Sequence, residues 1–346
     1  LRRLVFITQQ VDPGHPALAA TVPKICALAG LVDEVVVLAD GVVEGVLPGN
    51  CRVRTFRARG KAGRGVRFEA ALAAELGGLR RGAVVAHMCP IYAVLAAPLV
   101  RPLRIPLVLW FTHWRASRLL RAAERVSTAV VSVDRRSFPL ESKKLWAIGH
   151  GIDLSEFECS ERPKAGANDL RLLALGRYSP AKGLAVVIRA LAAVGDGVVL
   201  DVHGPALSAE ERAHREELER LVAALPLDGR VRLWGTVVRA DVPAVLAGHD
   251  ALVNNMRAGA PDKVVYESAA ACVPVLASNP VFDTLLDPAQ LFSRDDPGEL
   301  ADRIRALAGL PPAERAAIGH RLRERVEQGH SVGSWARGVL DAAGLS

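Results

Sequence analysis

The sequence predicts an α/β protein of two doubly wound, Rossmann-like domains. Three observations predict it. At 346 residues the chain exceeds what one hydrophobic core usually supports. A strand–loop–helix–strand succession, the start of a parallel sheet, runs through its first half. After a polar, Pro- and Gly-containing stretch the same succession starts again at Leu170. The first domain is read as 1–154, the linker as 155–168 and the second domain as 169–330.

In the first half, Leu4-Val5-Phe6-Ile7 is a short buried strand, followed by the turn-rich T-Q-Q-V-D-P-G-H-P and a helix to about Gly30. Asp33–Leu38 is the next strand. No G-x-G-x-x-G follows the first strand, which argues against a dinucleotide-dependent enzyme. Asp12 and His15 fall in the first loop, at the sheet edge where open α/β sheets bind ligands, although turn chemistry explains both. Strands Ala83–Ala86 and Leu107–Phe111 come next, the second running into Thr112-His113-Trp114-Arg115 and so placing His113 at that same edge. Arg115, Arg118, Arg121 and Arg125 then recur at roughly helical spacing and offer a basic face. The strand Ala129–Val133 and K-L-W-A-I-G-H-G-I-D close the half.

The second half repeats the scheme. Strand Leu170–Leu175 enters G-R-Y-S-P-A-K-G (Gly176 to Gly183) and an apolar helix; strand Val198–Val202 ends at His203-Gly204-Pro205; a charged helix spans roughly Ala209 to Ala224. Val231–Gly235 and Ala251–Val253 are further strands. Then comes Gly259–Ser278, G-A-P-D-K-V-V-Y-E-S-A-A-A-C-V-P-V-L-A-S, a turn that opens a short helix. The first N–H groups of a helix lack internal partners and carry partial positive charge, so a diphosphate is expected over Val264 and Val265 with Lys263 beside it. Glu267, one turn in, would face ribose hydroxyls.

Charge is unevenly spread. Residues 1–150 hold 22 Lys+Arg against 10 Asp+Glu, so within a net charge of +7 the remaining residues carry −5. An anionic partner is therefore expected on the first half. Arg52, Arg54, Arg57, Arg59, Lys61, Arg64 and Arg67 form a run without an acid, read as a mobile loop that touches phosphate or an anionic membrane surface. The low aromatic content, 5%, and the lack of a zinc-finger or RNA-binding signature speak against nucleic acid. The five cysteines, Cys26, Cys51, Cys89, Cys159 and Cys272, lie far apart without a C-x-x-C pair. They are read as reduced thiols of a cytoplasmic protein, with neither a structural zinc nor a disulfide framework. No leader is expected, since Leu-Arg-Arg passes at once into a strand, and the longest apolar stretch, Ile91–Val100, is too short to span a bilayer. A soluble protein, at most peripheral at the inner membrane face, is expected.

The succession H-G-I-D, G-R-Y-S-P-A-K-G, H-G-P, V-R-L-W-G-T-V and D-K-V-V-Y-E-S-A-A-A-C-V-P-V-L-A-S resembles the retaining nucleotide-sugar glycosyltransferases of family four, with the GT-B fold. W-F-T-H-W and S-F-P-L-E-S-K-K-L-W-A-I-G-H-G-I-D are similar to a bacterial subset of that family, and the likeness covers nearly the whole chain. Ser331–Trp335 resembles the segment by which the family's last helix crosses back, here 331–346, to the acceptor-binding first domain.

The resemblance implies a nucleotide-diphosphate sugar as donor substrate, no cofactor and no metal. Arg177 and Lys182, beside Gly176, would hold the diphosphate, with Gly204 and Gly235 at the neighbouring strand ends, Glu267 on the ribose and His113 lining the sugar site. Two cations at a leaving diphosphate favour the transition state over the ground state. In the family the new bond forms on the face from which the leaving group departs, its diphosphate assisting deprotonation of the acceptor. One departure stands out: the family's first glutamate would fall at Gly259, and Asp262 stands where a glycine is common. Asp262, or the amides of 259–263, is expected to take over the sugar hydroxyls. Three readings follow: a transferase acting on an anionic or lipid-linked acceptor in polysaccharide or glycolipid synthesis, a degenerate sugar-nucleotide-binding protein with a partner or scaffold role, and a sugar-nucleotide epimerase.

Overall fold

Segments such as Val35–Leu38 and Ala83–Ala86 are apolar at every position and fully buried. Strands of that kind are satisfied only in a parallel sheet covered on both faces. The computed structural model describes residues 2–15, 18–77, 79, 81–159 and 170–346. It divides into two units, Leu1–Asp153 with Gly329–Ser346, and Leu154–Gln328.

In the first unit β1 (Arg3–Val11), α1 (Thr21–Ala29), β2 (Glu34–Val42), β3 (Cys51–Thr55), α2 (Lys61–Leu76), β4 (Gly82–His87), α3 (Pro90–Val100), β5 (Leu107–Trp110), α4 (Arg118–Val126), β6 (Ala129–Ser132) and β7 (Leu145–Ala147) follow one another. The strands form one seven-stranded parallel sheet, ordered β3-β2-β1-β4-β5-β6-β7. The order reverses at β1 and β4, so the loops after these strands gather at one sheet edge.

The second unit contains β8 (Leu170–Leu175), α5 (Leu184–Ala193), β9 (Val198–His203), α6 (Ala209–Ala224), β10 (Val231–Leu233), α7 (Val242–Ala247), β11 (Ala251–Asn254), α8 (Lys263–Ala270), β12 (Val275–Ala277), α9 (Pro297–Gly309) and α10 (Pro312–Gly329). Its five strands are parallel in the order β10-β9-β8-β11-β12, a second doubly wound sheet whose order reverses between β8 and β11. The loops after these two strands carry G-R-Y-S-P-A-K-G and the segment leading to Asp262.

The chain re-enters the first unit at Gly329 and ends in α11 (Val332–Ala343). Ser331 caps this helix, its hydroxyl accepting from the Ser334 amide at 3.1 Å, and Ile152 pairs with Ser331 as a parallel bridge. Trp335 is fully buried edge-on against Trp110, ring centroids 5.5 Å apart, with the Lys24 ammonium 4.5 Å from the Trp110 ring and 5.1 Å from that of Trp335. A buried aromatic pair with a cation on its faces fastens the terminal helix to α1 and β5. Of the expected linker 155–168, residues 155–159 belong to the second unit and the rest lie outside the described residues.

Two expectations require correction. The basic run is not one loop: Arg52 and Arg54 lie on β3, Lys61, Arg64 and Arg67 lie on α2, and Arg57 and Arg59 alone lie in the loop between them. Arg3, Arg52 and Arg54 converge on Glu75, whose side chain is almost fully buried, and Arg64 lies 3.4 Å from Asp40. Burial alone would raise the Glu75 carboxyl, but Arg52, Arg54 and Arg3 hold it below its ordinary value. The acids that pair with Arg52, Arg54 and Arg64 are distant in sequence, which is why these residues read as unpaired. The cysteines are likewise not all free thiols, because Cys159 and Cys272, 113 residues apart, form a disulfide; a pairing made by the fold leaves no spacing signal.

Candidate functional site

The second unit's site is built where the backbone turns out of β8, β9 and β10. Gly176 follows β8 with φ 145°, and a Cβ there would lie 2.5 Å from the Lys182 ammonium. Gly204 follows β9, and a Cβ there would lie 1.9 Å from the Gly176 carbonyl oxygen. Glycine at both positions lets two loops touch through bare backbone. The Gly176 amide donates to His203 O (2.9 Å) and the Gly204 amide to Gly235 O (3.0 Å), so the three strand ends are laced together.

On this frame Lys182 reaches over Gly176 to the carboxylate of Asp262. Asp262 immediately precedes α8 at the N-cap position, yet its side chain does not cap the helix. It accepts instead from Lys182 and from Asn254 Nδ2, the latter at 2.8 Å. The Oδ1 atoms of Asn254 and Asn255, both buried, have no hydrogen-bond partner among the described residues. Arg177 is 60% exposed and donates to Glu211 Oε1 at 2.8 Å. Glu211 is fixed by a capping box with Ser208 at the start of α6.

Glu267, one turn into α8, is nearly buried and takes two cations on one oxygen: Lys263 Nζ at 2.6 Å and Arg239 Nη1 at 2.6 Å. Arg239 also holds Glu156 and lies 5.5 Å from the Phe157 ring. The site thus gathers four cations (Arg177, Lys182, Arg239, Lys263) and four carboxylates (Glu156, Glu211, Asp262, Glu267), every cation already on a carboxylate. An entering diphosphate has to displace such contacts, and it gains two charges' worth of charge-assisted bonding when it does.

Several sequence expectations shift on this geometry. Lys263 does not stand over the helix start; it turns along α8 to Glu267. Val264 and Val265 are buried, and the Val265 amide donates to Asp262 O at 3.2 Å, so Lys263 and Val264 supply the helix's first two amides. Asp262 faces Lys182 and Asn254. Gly204 and Gly235 line an open pocket of about 420 Å³ with Pro205, Thr236 and, from α6, Arg212 and Arg215. Gly259 has φ 118°, and its carbonyl accepts from Asn279 Nδ2 at 3.4 Å. Arg239, Glu156 and Asn254 were missed by the sequence reading: Arg239 lies 28 residues before Glu267, and Glu156 fell in the expected linker. Glu211 alone left a signal, the S-A-E-E capping box of 208–211.

In the first unit His113 stands three residues past β5. Its amide donates to Ser137 O at 3.1 Å, its Nδ1 accepts from the Arg115 amide at 3.0 Å, and its ring stacks on Trp114. Burial, and then the Arg115 charge, push the imidazole below its ordinary value. With Nδ1 an acceptor, the neutral ring carries its proton on Nε2, a donor for a hydroxyl. Asp12 and His15 form a turn, Asp12 Oδ1 accepting from Gly14 and His15 Nδ1 from Leu18.

Among the described residues one group of Cys, His, Asp and Glu side chains converges as metal ligands do, and it consists of Cys159, Cys272 and His320 rather than any residue of this site. No helix among the described residues is long and apolar enough to cross a membrane.

Residues 169–309 match the family model described as glycosyl transferases group 1. The crystal structure of HepE of Anabaena in complex with UDP and glucose is similar at a TM-score of 0.74 and 20% identity, over 98% of both chains. Sucrose-phosphate synthase from Thermosynechococcus elongatus gives a TM-score of 0.76 at 17% identity, over 100% of this chain and 98% of that one. WaaG, a glycosyltransferase involved in lipopolysaccharide biosynthesis, gives 0.63 at 16% identity over 98% of both. No curated protein matches the sequence. The fold is the two-domain GT-B fold, and the second unit carries a glycosyltransferase domain.

Proposed function

We propose that this chain, with a glycosyl transferase group 1 domain on a GT-B fold, moves a sugar with retention of configuration from a nucleotide-diphosphate sugar to an anionic or lipid-linked acceptor. One observation carries the reading: Lys182, Asp262, the start of α8 and Glu267 form a continuous polar chain at the ends of β8 and β11. Glu267, oriented by Arg239 and Lys263, takes the ribose hydroxyls. The diphosphate takes Lys182 and Arg177 from their carboxylates and lies against the first amides of α8. The structures of HepE with UDP and with UDP-glucose support a donor of this class.

Breaking the sugar–phosphate bond raises the negative charge on the departing diphosphate, and Arg177 and Lys182 stabilise that growing charge more than the ground state. Once Lys182 turns to the diphosphate, the Asp262 carboxylate is released to sugar hydroxyls, the role that Gly259 cannot fill. His113, at the ligand edge of the first unit's sheet, offers an Nε2–H for a substrate hydroxyl. The leaving diphosphate accepts the acceptor's proton on the same face, which retains the anomeric configuration.

For the acceptor, the exposed run after β5 is the face chosen, because Arg52, Arg54 and Arg64 of the earlier basic run are already held by acids. Trp114, 47% exposed, has the Arg115 guanidinium 4.8 Å over its ring, and Arg118, Leu119, Arg121 and Arg125 are exposed along α4. Aromatic, leucine and arginine side chains together suit an anionic interface. This reading takes the protein to act peripherally at the inner face of the cytoplasmic membrane. A second reading, a non-catalytic sugar-nucleotide binder, is favoured by the glycine at 259 and by the prior pairing of every site cation. Incubation with a panel of sugar nucleotides separates the two. The transferase reading expects release of free sugar whose first-formed anomer, followed by NMR, matches the donor; binding without any turnover supports the second reading.

A further inference from the structure

We propose that Cys159 and Cys272 form a reversible thiol–disulfide site, reduced by a low-molecular-weight or protein thiol, whose state sets how firmly Glu267 is held for the nucleotide. The inference rests on the reading of Glu267 as the ribose ligand.

One end of the bond is rigid. Cys272 lies two residues past α8 with φ 56°, its amide donating to Ala269 O at 3.1 Å, while the next amide, Val273, donates to Ser268 O at 2.9 Å. Helix α10 presses against it, since a Cβ on Gly319 would lie 2.0 Å from the Cys272 carbonyl oxygen. The next residue of α10, His320, therefore stands beside the sulfur, with Nδ1 3.5 Å from Cys272 Sγ.

The other end closes the segment Leu154–Cys159, with Cα atoms 5.2 Å apart across the bond, within the usual disulfide range. This segment carries Glu156 and Phe157, both of which contact Arg239, and Arg239 holds Glu267. Arg323 adds a polar tie by donating to both Phe157 O and Ala270 O. The disulfide thus ends a short physical chain, Cys159 to Glu156 and Phe157, to Arg239, to Glu267. Opening it removes the covalent tie of the segment to α8, so Arg239 loses its fixed second carboxylate and Glu267 its preorganised orientation.

Both cysteines are half-buried and His320 is exposed, so a thiol can reach the bond. A thiolate attacks Cys159 Sγ, and Cys272 leaves as the thiolate and takes up a proton from solvent. A second thiolate attacks the outer sulfur of the mixed disulfide, and Cys159 leaves as a thiolate that is protonated by solvent. Two thiols are oxidised to one disulfide, two electrons pass, and Cys159 and Cys272 end as thiols. The same three side chains have donor atoms that suit zinc. The bonded sulfurs, and a group of only three members among the described residues, favour redox chemistry.

The test uses the whole chain, treated with glutathione disulfide or with dithiothreitol, and reads alkylation by mass spectrometry and binding of UDP, GDP and ADP by calorimetry. The proposal expects three labelled cysteines in the oxidised form and five in the reduced form. It expects the nucleotide that binds to lose about 5- to 150-fold in affinity on reduction, the range of ordinary site–site coupling. Cys159→Ser should bind like the reduced wild type under both conditions. Five labelled cysteines after oxidation, stoichiometric zinc in the purified protein, or an affinity unmoved or raised by reduction overturns it. If neither form binds any of the three nucleotides, the donor-site reading falls and this proposal with it; binding that ignores reduction sinks this proposal alone.

Discussion

The ammonium of Lys182 is bonded to the carboxylate of Asp262, 80 residues further along the chain. The pair joins the loop after β8 to the first turn of α8, and it gives the site a carboxylate where an incoming phosphate would sit. Each side chain therefore has two tasks, one before and one after the nucleotide arrives.

From that relationship, Asp262→Asn is expected to tighten binding of the bare nucleoside diphosphate by about three- to tenfold, because Lys182 no longer has to leave an ionised partner. Turnover with the sugar nucleotide should fall in the same variant, since the freed carboxylate is missing. Calorimetry and steady-state kinetics on one preparation check both. Unchanged values in both would show that Asp262 does not compensate for Gly259.

Replacement of Glu267 acts on binding. Glu267→Ala removes a nearly buried acceptor, and hydrogen bonds to charged groups are worth about 1.5–3 kcal/mol, so Kd should rise by about ten- to a hundredfold. The wild type should prefer a ribonucleotide over its 2′-deoxy analogue, and the variant should lose that preference. A retained preference would place the ribose elsewhere.

The interface prediction concerns α4. Sedimentation with anionic liposomes at low salt is expected for the wild type, weakened in Arg118→Ala/Arg121→Ala and little changed in Arg52→Ala, because Arg52 is held by Glu75 and Glu34. High salt should release the wild type. Equal loss in the two variants would remove the assignment of this face.

Acid stability follows from two buried histidines of the first unit. Burial, with Lys24 nearby, puts His87 well below its ordinary value, and burial pushes His330 down to about 4. Their unfolded counterparts titrate near 6.5, so between about 6.5 and 4 the unfolded chain binds more protons than the folded one. Stability is then fully present above about pH 6.5 and is lost as the pH falls toward 4. Neither ring nitrogen of His87 has a hydrogen-bond partner among the described residues. His87→Phe should therefore flatten the acid limb of the urea midpoint against pH.

Much of the fold was legible because parallel strands buried on both faces leave uninterrupted β-branched runs, as at Val35–Leu38 and Val84–Val85. The edge strand β3 was not, because Arg52 and Arg54 alternate along it and read as a charged loop until Glu75 is seen between them. In the site, Arg177, Lys182 and Glu267 were visible as motif positions. What each is bonded to was not, since Glu211, Asp262 and Arg239 reach them only through the fold. The same holds for Cys159 and Cys272, whose pairing depends on a segment returning to the end of α8.

The most direct test of the donor site is calorimetric titration of UDP, GDP and ADP into the wild type, Arg177→Ala and Lys182→Ala. The account predicts micromolar-range binding of at least one nucleotide, with Kd raised at least about tenfold by each substitution as a charge-assisted contact to the diphosphate is lost. Binding of the same nucleotide with unchanged Kd in both variants would contradict it.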